Sequence, residues 1–573
     1  MAQASVAQAE YAARRMKTSN GSAEAQVRPV SQLAELPFFG TSLDPKSEHR
    51  KSLGATTIQG ARPTILTLPP ELLSKIIANT LSPPSSESGN AVELLNISHV
   101  SSYFRDITVN EASLWAIVPY LNAVHHDFLE TILERSQPYA INLSFTDDAS
   151  LVEESQVWRQ AVSNFHRVSR LHVEVIEASE GGILGSLFSI SAPALKECII
   201  HFFGNRIVPL DDLFPPSFNN NAPNLRKLDL TNCSIRPERY PGFPNLRDLT
   251  VMHLGTRHND LALLPADGFF LCRDSLHSLQ SLTLYSCIRV SDSESAAGHS
   301  FQGPLHLPSL QHFTLKTTIE GCSTLGKILR LPTACFRVIT MTISPHWVPE
   351  QLDDAVIAAE AAASFIPAEL EYTTCAGGMW GLAPSLYLFT AGQPTASVTI
   401  RFGIPTPNTP PDLDLFLLQV GRVLALNREA PLSTILFLHM CLPGTRPSIV
   451  STSLLPYLLR PLIKPMKNLV DFASQGSDVW ANGTIDWVLD QSHSPNLKNL
   501  MVPLDDVVQG PGALEGIVRF LTVRPEISKV TFRVSPSTVE ELGHAASDGL
   551  RCLIQDISKD FPGSVALDWV VGW

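Results

Sequence analysis

The chain predicts an α/β fold: a short all-helical segment followed by an irregular solenoid in which each repeat supplies a strand and a helix. Three observations carry that expectation. Between Leu68 and Trp115 apolar residues recur every three to four positions, the period of amphipathic helices. Farther along, a Leu-x-x-Leu-x-Leu pattern recurs, which supplies strands whose alternate side chains point to one side. Forty-three prolines in 573 residues exceed the usual ~5% and favour many short elements separated by turns.

Residues 1–60 are rich in Ala, Ser, Gln and charge without a sustained period, so they are expected to form a disordered tail. The helical segment occupies 61–120. Pro69 and Pro70 suit a first helical turn, where a missing N–H is harmless, and Thr67 is the expected N-cap. Leu72, Leu73, Ile76, Ile77 and Leu81 then make one apolar stripe, stopped by Ser82-Pro83-Pro84. A second stripe runs through Leu94, Ile97, Val100, Tyr103 and Phe104. Glu111 to Val118 forms a third short helix carrying Leu114 and Trp115. Three such helices bury too little surface to stand alone, so they need a partner or an attached domain.

The Leu68-Pro69-Pro70-Glu71 opening, the Val100-Ser101-x-x-Phe104-Arg105 centre and the Leu114-Trp115 close resemble an F-box. That module docks a substrate receptor onto the Skp adaptor of a cullin-RING ubiquitin ligase. The resemblance covers about a tenth of the chain. It departs from the family in a longer Pro/Ser-rich insert over Leu81–Asn90, and in Phe104 where many members have Trp. A helix over His126–Ser136, a stop at Gln137-Pro138 and a strand over Ile141–Phe145 follow, within a linker and cap at 121–165. This order is similar to the expanded F-box families of mushroom-forming fungi. The resemblance implies that Leu68, Pro69, Leu72, Ile76, Val100, Phe104, Leu114 and Trp115 lie at or beneath an adaptor-facing surface. It also implies a Skp adaptor, a cullin scaffold and an unknown protein substrate as partners, with no enzymatic activity.

The leucine motif appears as Leu225-x-x-Leu228-x-Leu230, Leu246-x-x-Leu249-x-Val251, Leu279-x-x-Leu282-x-Leu284 and Leu310-x-x-Phe313-x-Leu315. Weaker copies begin at Leu195, Phe336, Leu432, Leu497 and Ile527. Several share a lead-in: Ala222-Pro223-Asn224-Leu225, Phe243-Pro244-Asn245-Leu246, Leu307-Pro308-Ser309-Leu310 and Ser494-Pro495-Asn496-Leu497. The proline ends a preceding helix and sets an extended approach to the strand. From Leu195 the clear copies are 30, 21, 33 and 31 residues apart, an irregular spacing that mostly exceeds the ~20–29 of regular arrays, so several repeats carry insertions. Leucine-rich repeats are therefore expected over 166–345 and irregular ones over 346–540. The second stretch should contain an inserted helix over Asp353–Leu370 and a long loop over Ala376–Gly392. A cap at 541–573 ends the chain.

Composition narrows the function classes. Hydrophobic residues make up 44%, enough for a large core, and 42 basic against 55 acidic residues leave a net charge of −13. No basic block marks a nucleic-acid or membrane surface. The N-terminus lacks a signal pattern and no run of eighteen apolar residues occurs. Nine scattered cysteines without a Cys-x-x-Cys pair read as reduced, placing the chain in the cytoplasm or nucleus.

Catalytic, cofactor and metal motifs are not expected. Gly321-Cys322-Ser323-Thr324-Leu325-Gly326-Lys327 matches most of a phosphate-binding loop, but Ile328 replaces the magnesium-binding hydroxyl. It reads instead as a strand-to-helix turn with Leu325, Ile328, Leu329 and Leu331 facing the core. His125-His126-Asp127 reads as a solvated helix start, because adjacent histidines on a helix point apart. Two functions follow: a ligase substrate receptor, or a leucine-rich-repeat scaffold without a ligase. Arg226, Asp229, Arg247, Thr283 and Lys316 are the expected substrate-facing positions.

Overall fold

The computed structural model describes residues 65–81, 89–117, 120–147, 155–175, 189–203, 221–234, 243–254, 276–289, 304–343, 352–380, 383–390, 393–403, 413–441, 455–475, 494–504, 512–535 and 566–571, with a few isolated positions between them. The expected tail and the Ser82-Pro83-Pro84 stop lie outside the described residues. The fold is α/β, with an open and mostly parallel sheet arrangement. The chain divides into two compact units, the division falling between Cys233 and Asn245.

The N-terminal unit opens with helices. Helix α1 (Pro70–Thr80) begins behind Pro69 with no side-chain cap, so the expected Thr67 cap is not used. Proline at the cap and first position leaves fewer orphan N–H groups to satisfy, and the Pro69 carbonyl accepts from the Leu72 and Leu73 amides. The second expected stripe is two helices, α2 (Gly89–Ser98) and α3 (Ser102–Asn110). Ser101 separates them by turning extended and accepting the Phe104 N–H at 3.2 Å, which is N-cap chemistry. Helix α4 (Ala112–Trp115) is capped by Glu111, and α5 spans His126–Arg135.

Trp115 is the hub of this module. Its indole N–H donates to the Thr108 carbonyl at 2.7 Å, the Phe128 ring meets it edge-on at 6.3 Å, and the Arg135 guanidinium lies 4.8 Å over its face. Strands β1 (Ile141–Asp147), β2 (Val168–Val175), β3 (Glu197–Phe202) and β4 (Lys227–Thr231) follow as a parallel sheet in chain order. Helix α6 (Gln156–Ser163) packs Trp158 against Phe145. Asn122 exchanges two 2.7 Å hydrogen bonds with the Thr146 backbone, so the chain between α4 and α5 covers the edge of β1.

The C-terminal unit carries β5 (Asp248–Met252), β6 (Ser281–Tyr285), β7 (His312–Thr318), β8 (Phe336–Thr342), β9 (Tyr372–Trp380), β10 (Ala383–Thr390), β11 (Gln393–Gly403), β12 (Phe437–Cys441), β13 (Asp471–Gln475), β14 (Asn499–Pro503), β15 (Lys529–Val534) and β16 (Ala566–Val571). Their sheet order is β5-β6-β7-β8-β11-β10-β9-β12-β13-β14-β15-β16. All neighbours run parallel except β10, which is antiparallel to both β9 and β11. Helices α7 (Ile319–Ile328), α8 (Leu352–Ser364), α9 (Leu413–Asn427) and α11 (Leu455–Ile463) pack successively against one another, with α10 (Glu429–Ser433) following α9. Helix α12 (Ala513–Val523) precedes β15. A Cβ on Gly421 of α9 would stand 2.5 Å from the Leu458 carbonyl oxygen of α11, so only glycine permits this approach.

The strongest leucine motifs hold their strands as expected. The motif residues Leu225, Leu228, Leu230, Leu279, Leu282 and Leu284 are buried, while Asp229 and Thr283 alternate outward. The lead-in differs from the expected extended run. Leu225, Leu279, Leu310, Leu497 and Ile527 each donate their N–H to the carbonyl three residues earlier, which closes a β-turn. In four of them proline (Pro223, Pro308, Pro495 and Pro525) holds the second turn position and fixes a φ that such turns favour. Where the third position is asparagine it ties the turn to the preceding one: the Asn224, Asn468 and Asn496 amides donate to the Pro193, Ser433 and Lys467 carbonyls at 2.7–2.9 Å.

Several expectations are corrected. In β8 the ladder sets Arg337 opposite Phe313 and Ile339 opposite Leu315, so the copy assigned from Phe336 is two residues out of register. Arg337 occupies the inward site, buried, and donates to the Phe365, Leu331 and Pro332 carbonyls. The copy assigned from Leu432 is Ile435-x-x-Leu438, because Leu438 pairs with Phe472. A further copy at Leu469-x-x-Phe472 was not anticipated. The expected loop over Ala376–Gly392 is mostly strand, with β9 and β10 paired on both sides. Pairing on both sides overrides the poor intrinsic strand preference of Gly377 and Gly378. The expected insert over Asp353–Leu370 is α8, which ends at Ser364 and packs between α7 and α9.

Candidate docking site

Helix α1 carries its apolar residues as adjacent pairs, Leu72-Leu73 and Ile76-Ile77. Successive helical residues diverge by about 100°, so the pairs cannot form one stripe. Leu73 and Ile77 are buried against the module, whereas Leu72 remains 49% and Ile76 41% exposed. The expected single stripe is therefore two stripes, one inward and one outward.

The other expected positions fall into two layers. Pro69 is exposed; Leu68 is half-buried, its carbonyl accepting the Tyr103 hydroxyl at 2.6 Å. That bond fixes the start of α1 against α3. Val100, in the turn between α2 and α3, is 67% exposed. Phe104, Leu114 and Trp115 are buried beneath. Sequence reasoning missed Ile65 and Leu66, both exposed and apolar on the turn before α1. Their position directly before Leu68-Pro69 was the available signal. Burying what Leu72 and Ile76 still expose would contribute on the order of 1 kcal/mol per side chain.

A second surface is the outward face of β2–β4. His172 and His201 meet edge-on at 5.4 Å, with Glu174 3.9 Å from His172 and Asp229 3.9 Å from His201. Burial first, then the His201 and Arg170 charges, pushes His172 down to about 4, with Asp229 acting in the opposite direction. Arg226 and Arg247 are exposed just before their strands, and Asp229, Thr283 and Lys316 are half-exposed on theirs. The Lys316 ammonium sits 4.0 Å over the Tyr285 ring and also bonds its hydroxyl.

The chemical decoys resolve physically. Gly321 to Lys327 lies within α7, capped by the Thr318 hydroxyl, so its amides are spent on helical bonds and cannot cradle a phosphate. Gly326 is needed because a Cβ there would collide with Ser364. The strand-to-helix turn expected there is helix; Leu325, Ile328 and Leu329 are buried, but Leu331 is only half-buried. Cys198, Cys233, Cys287, Cys322, Cys335 and Cys375 are buried thiols, with Cys287 pushed by burial up to about 12 and Cys335 to about 11, which leaves them protonated and unreactive at neutral pH. His125, His126 and Asp127 do not point apart as expected. Their donor atoms lie within 4.8 Å of one another.

The chain matches no protein-family model and no curated protein. No helix among the described residues is long and apolar enough to cross a membrane.

Proposed function

We propose that the chain is a substrate-receptor subunit of a cullin-RING ubiquitin ligase. In this reading α1–α4 dock the Skp adaptor as an F-box, and the leucine-rich strands form a repeat solenoid that holds a protein substrate. The outward Leu72 and Ile76 pair carries the reading, because those side chains keep roughly half their surface exposed on the helix that buries Leu73 and Ile77. The reaction would be accelerated by proximity, holding a substrate lysine beside a ubiquitin-charged enzyme and raising its effective concentration. No catalytic group of this chain is required.

The second reading is a repeat scaffold without a ligase. The Asn122–Thr146 pairing favours it, since the chain beside the helical module already serves as a cover for the edge of β1. Co-expression of the full chain with a Skp adaptor separates the two. Co-elution in size exclusion that is lost in Leu72→Asp/Ile76→Asp supports the receptor. A folded full-length chain that never co-elutes leaves the scaffold.

A further inference from the structure

We propose that His125, His126 and Asp127 form a binding site for one divalent transition-metal ion of the zinc class. The Asp127 carboxylate lies between the two imidazoles: Oδ2 is 3.5 Å from His125 Nδ1 and Oδ1 is 3.0 Å from His126 Nε2. An ion about 2.0–2.2 Å from each donor requires neighbouring donors about 3–3.5 Å apart at tetrahedral or octahedral angles. Both carboxylate–imidazole spacings meet that requirement, and the three donor atoms all lie within 4.8 Å of one another.

Local backbone explains why neighbouring histidines converge. His125 is the N-cap of α5, extended at φ −69° and ψ 147°, while His126 is the first helical residue. The rule that adjacent side chains diverge holds inside a helix and fails at this junction. The two rings stand 4.1 Å apart, centroid to centroid, at 45°. The His125 carbonyl accepts the Phe128 and Leu129 amides at 3.0 and 2.9 Å. Leu129 is fully buried and Phe128 rests on Trp115, so packing directly after the triplet anchors the backbone that carries it.

Donor chemistry selects the ion. Two imidazoles and one carboxylate suit Zn²⁺, Co²⁺, Ni²⁺ or Cu²⁺, whereas Ca²⁺ and Mg²⁺ require more oxygen ligands. Three protein donors leave coordination positions open, and the triplet is largely exposed, so water or a donor from another molecule completes the shell. Asp127 also offsets the helix dipole, which otherwise disfavours a cation at this end. The site is separate from the outward face of α1 and does not depend on the ligase reading.

The competing interpretation is a plain Asp127–histidine hydrogen bond, and metal titration distinguishes the two. Chelator-treated full-length protein is titrated with Zn²⁺ by calorimetry and with Co²⁺ by visible absorption near neutral pH. The wild-type chain should bind one equivalent that His125→Ala/His126→Ala lacks and Asp127→Asn holds more weakly. That equivalent should be released on acidification, because protons compete with the ion for its ligands. Equal uptake by wild type and the double variant would place the ion on others of the 17 histidines and overturn the site, as would no uptake at all. If the double variant melts early without metal, His126→Gln is read in its place against the same outcomes.

Discussion

Helix α1 and strand β6 both carry closely spaced large apolar residues, and they dispose of them differently. On β6, Leu282 and Leu284 alternate with Thr283, and both leucines disappear into the core. On α1 the apolar residues come in adjacent pairs, and one member of each pair faces water. A period of two returns every leucine to the same side, whereas a turn of about 100° per residue splits neighbours. The strand is therefore complete once folded. The helix leaves apolar surface half-exposed, and that surface is what the proposed docking would use.

The largest expected effect breaks the helix side of this comparison. Leu72→Asp/Ile76→Asp should abolish co-elution with a Skp adaptor while shifting thermal unfolding little, since exposed substitutions change stability by about 0.5 kcal/mol or less. Lost binding accompanied by lost folding would mean that the outward stripe is structural. On the strand side, Leu284→Ala should cost about 2–5 kcal/mol in urea unfolding.

A sharper comparison sits within α1 itself. Ile77→Ala should cost roughly 2–4 kcal/mol, and Ile76→Ala should stay within about 0.5 kcal/mol. Equal costs would show that α1 has no unused face. Arg337→Met should cost about 2–3 kcal/mol, because it leaves the buried Phe365 and Pro332 carbonyls without their donor.

The smaller effects concern the sheet. Folding holds His172 down to about 4 from 6.5, so its contribution is fully present above pH 6.5 and is lost as pH falls toward 4. His172→Gln should flatten the stability-versus-pH curve in that window, and an unchanged slope would remove His172 as its source. Asn224→Ala should cost about 1 kcal/mol, through the hydrogen bond to Pro193 that joins adjacent turns.

Much of the strand framework was legible because Leu-x-x-Leu-x-Leu states both period and polarity. Misreadings arose where another chance match lay nearby. Phe336-x-x-Ile339-x-Met341 satisfied the pattern, and only the ladder with β7 showed that Arg337 fills the leucine site. A buried arginine is tolerated there because three carbonyls receive its N–H groups. The Ala376–Gly392 region reads as a loop on propensity and becomes strand through partners remote in sequence. In the helical module, adjacent apolar pairs were visible, but which member turns inward depends on what α1 packs against.

By itself the sequence determined the periodicities: helical over 70–135 and strand-like at the leucine motifs, with proline-marked breaks between. Those are local properties, set by residue spacing and by backbone preferences that act within a few residues. Tertiary structure alone decided the register of β8 and β12, the antiparallel place of β10, and the outward turn of Leu72 and Ile76. Each depends on contacts that no local pattern encodes, because a side chain's surroundings are fixed only once distant segments have packed.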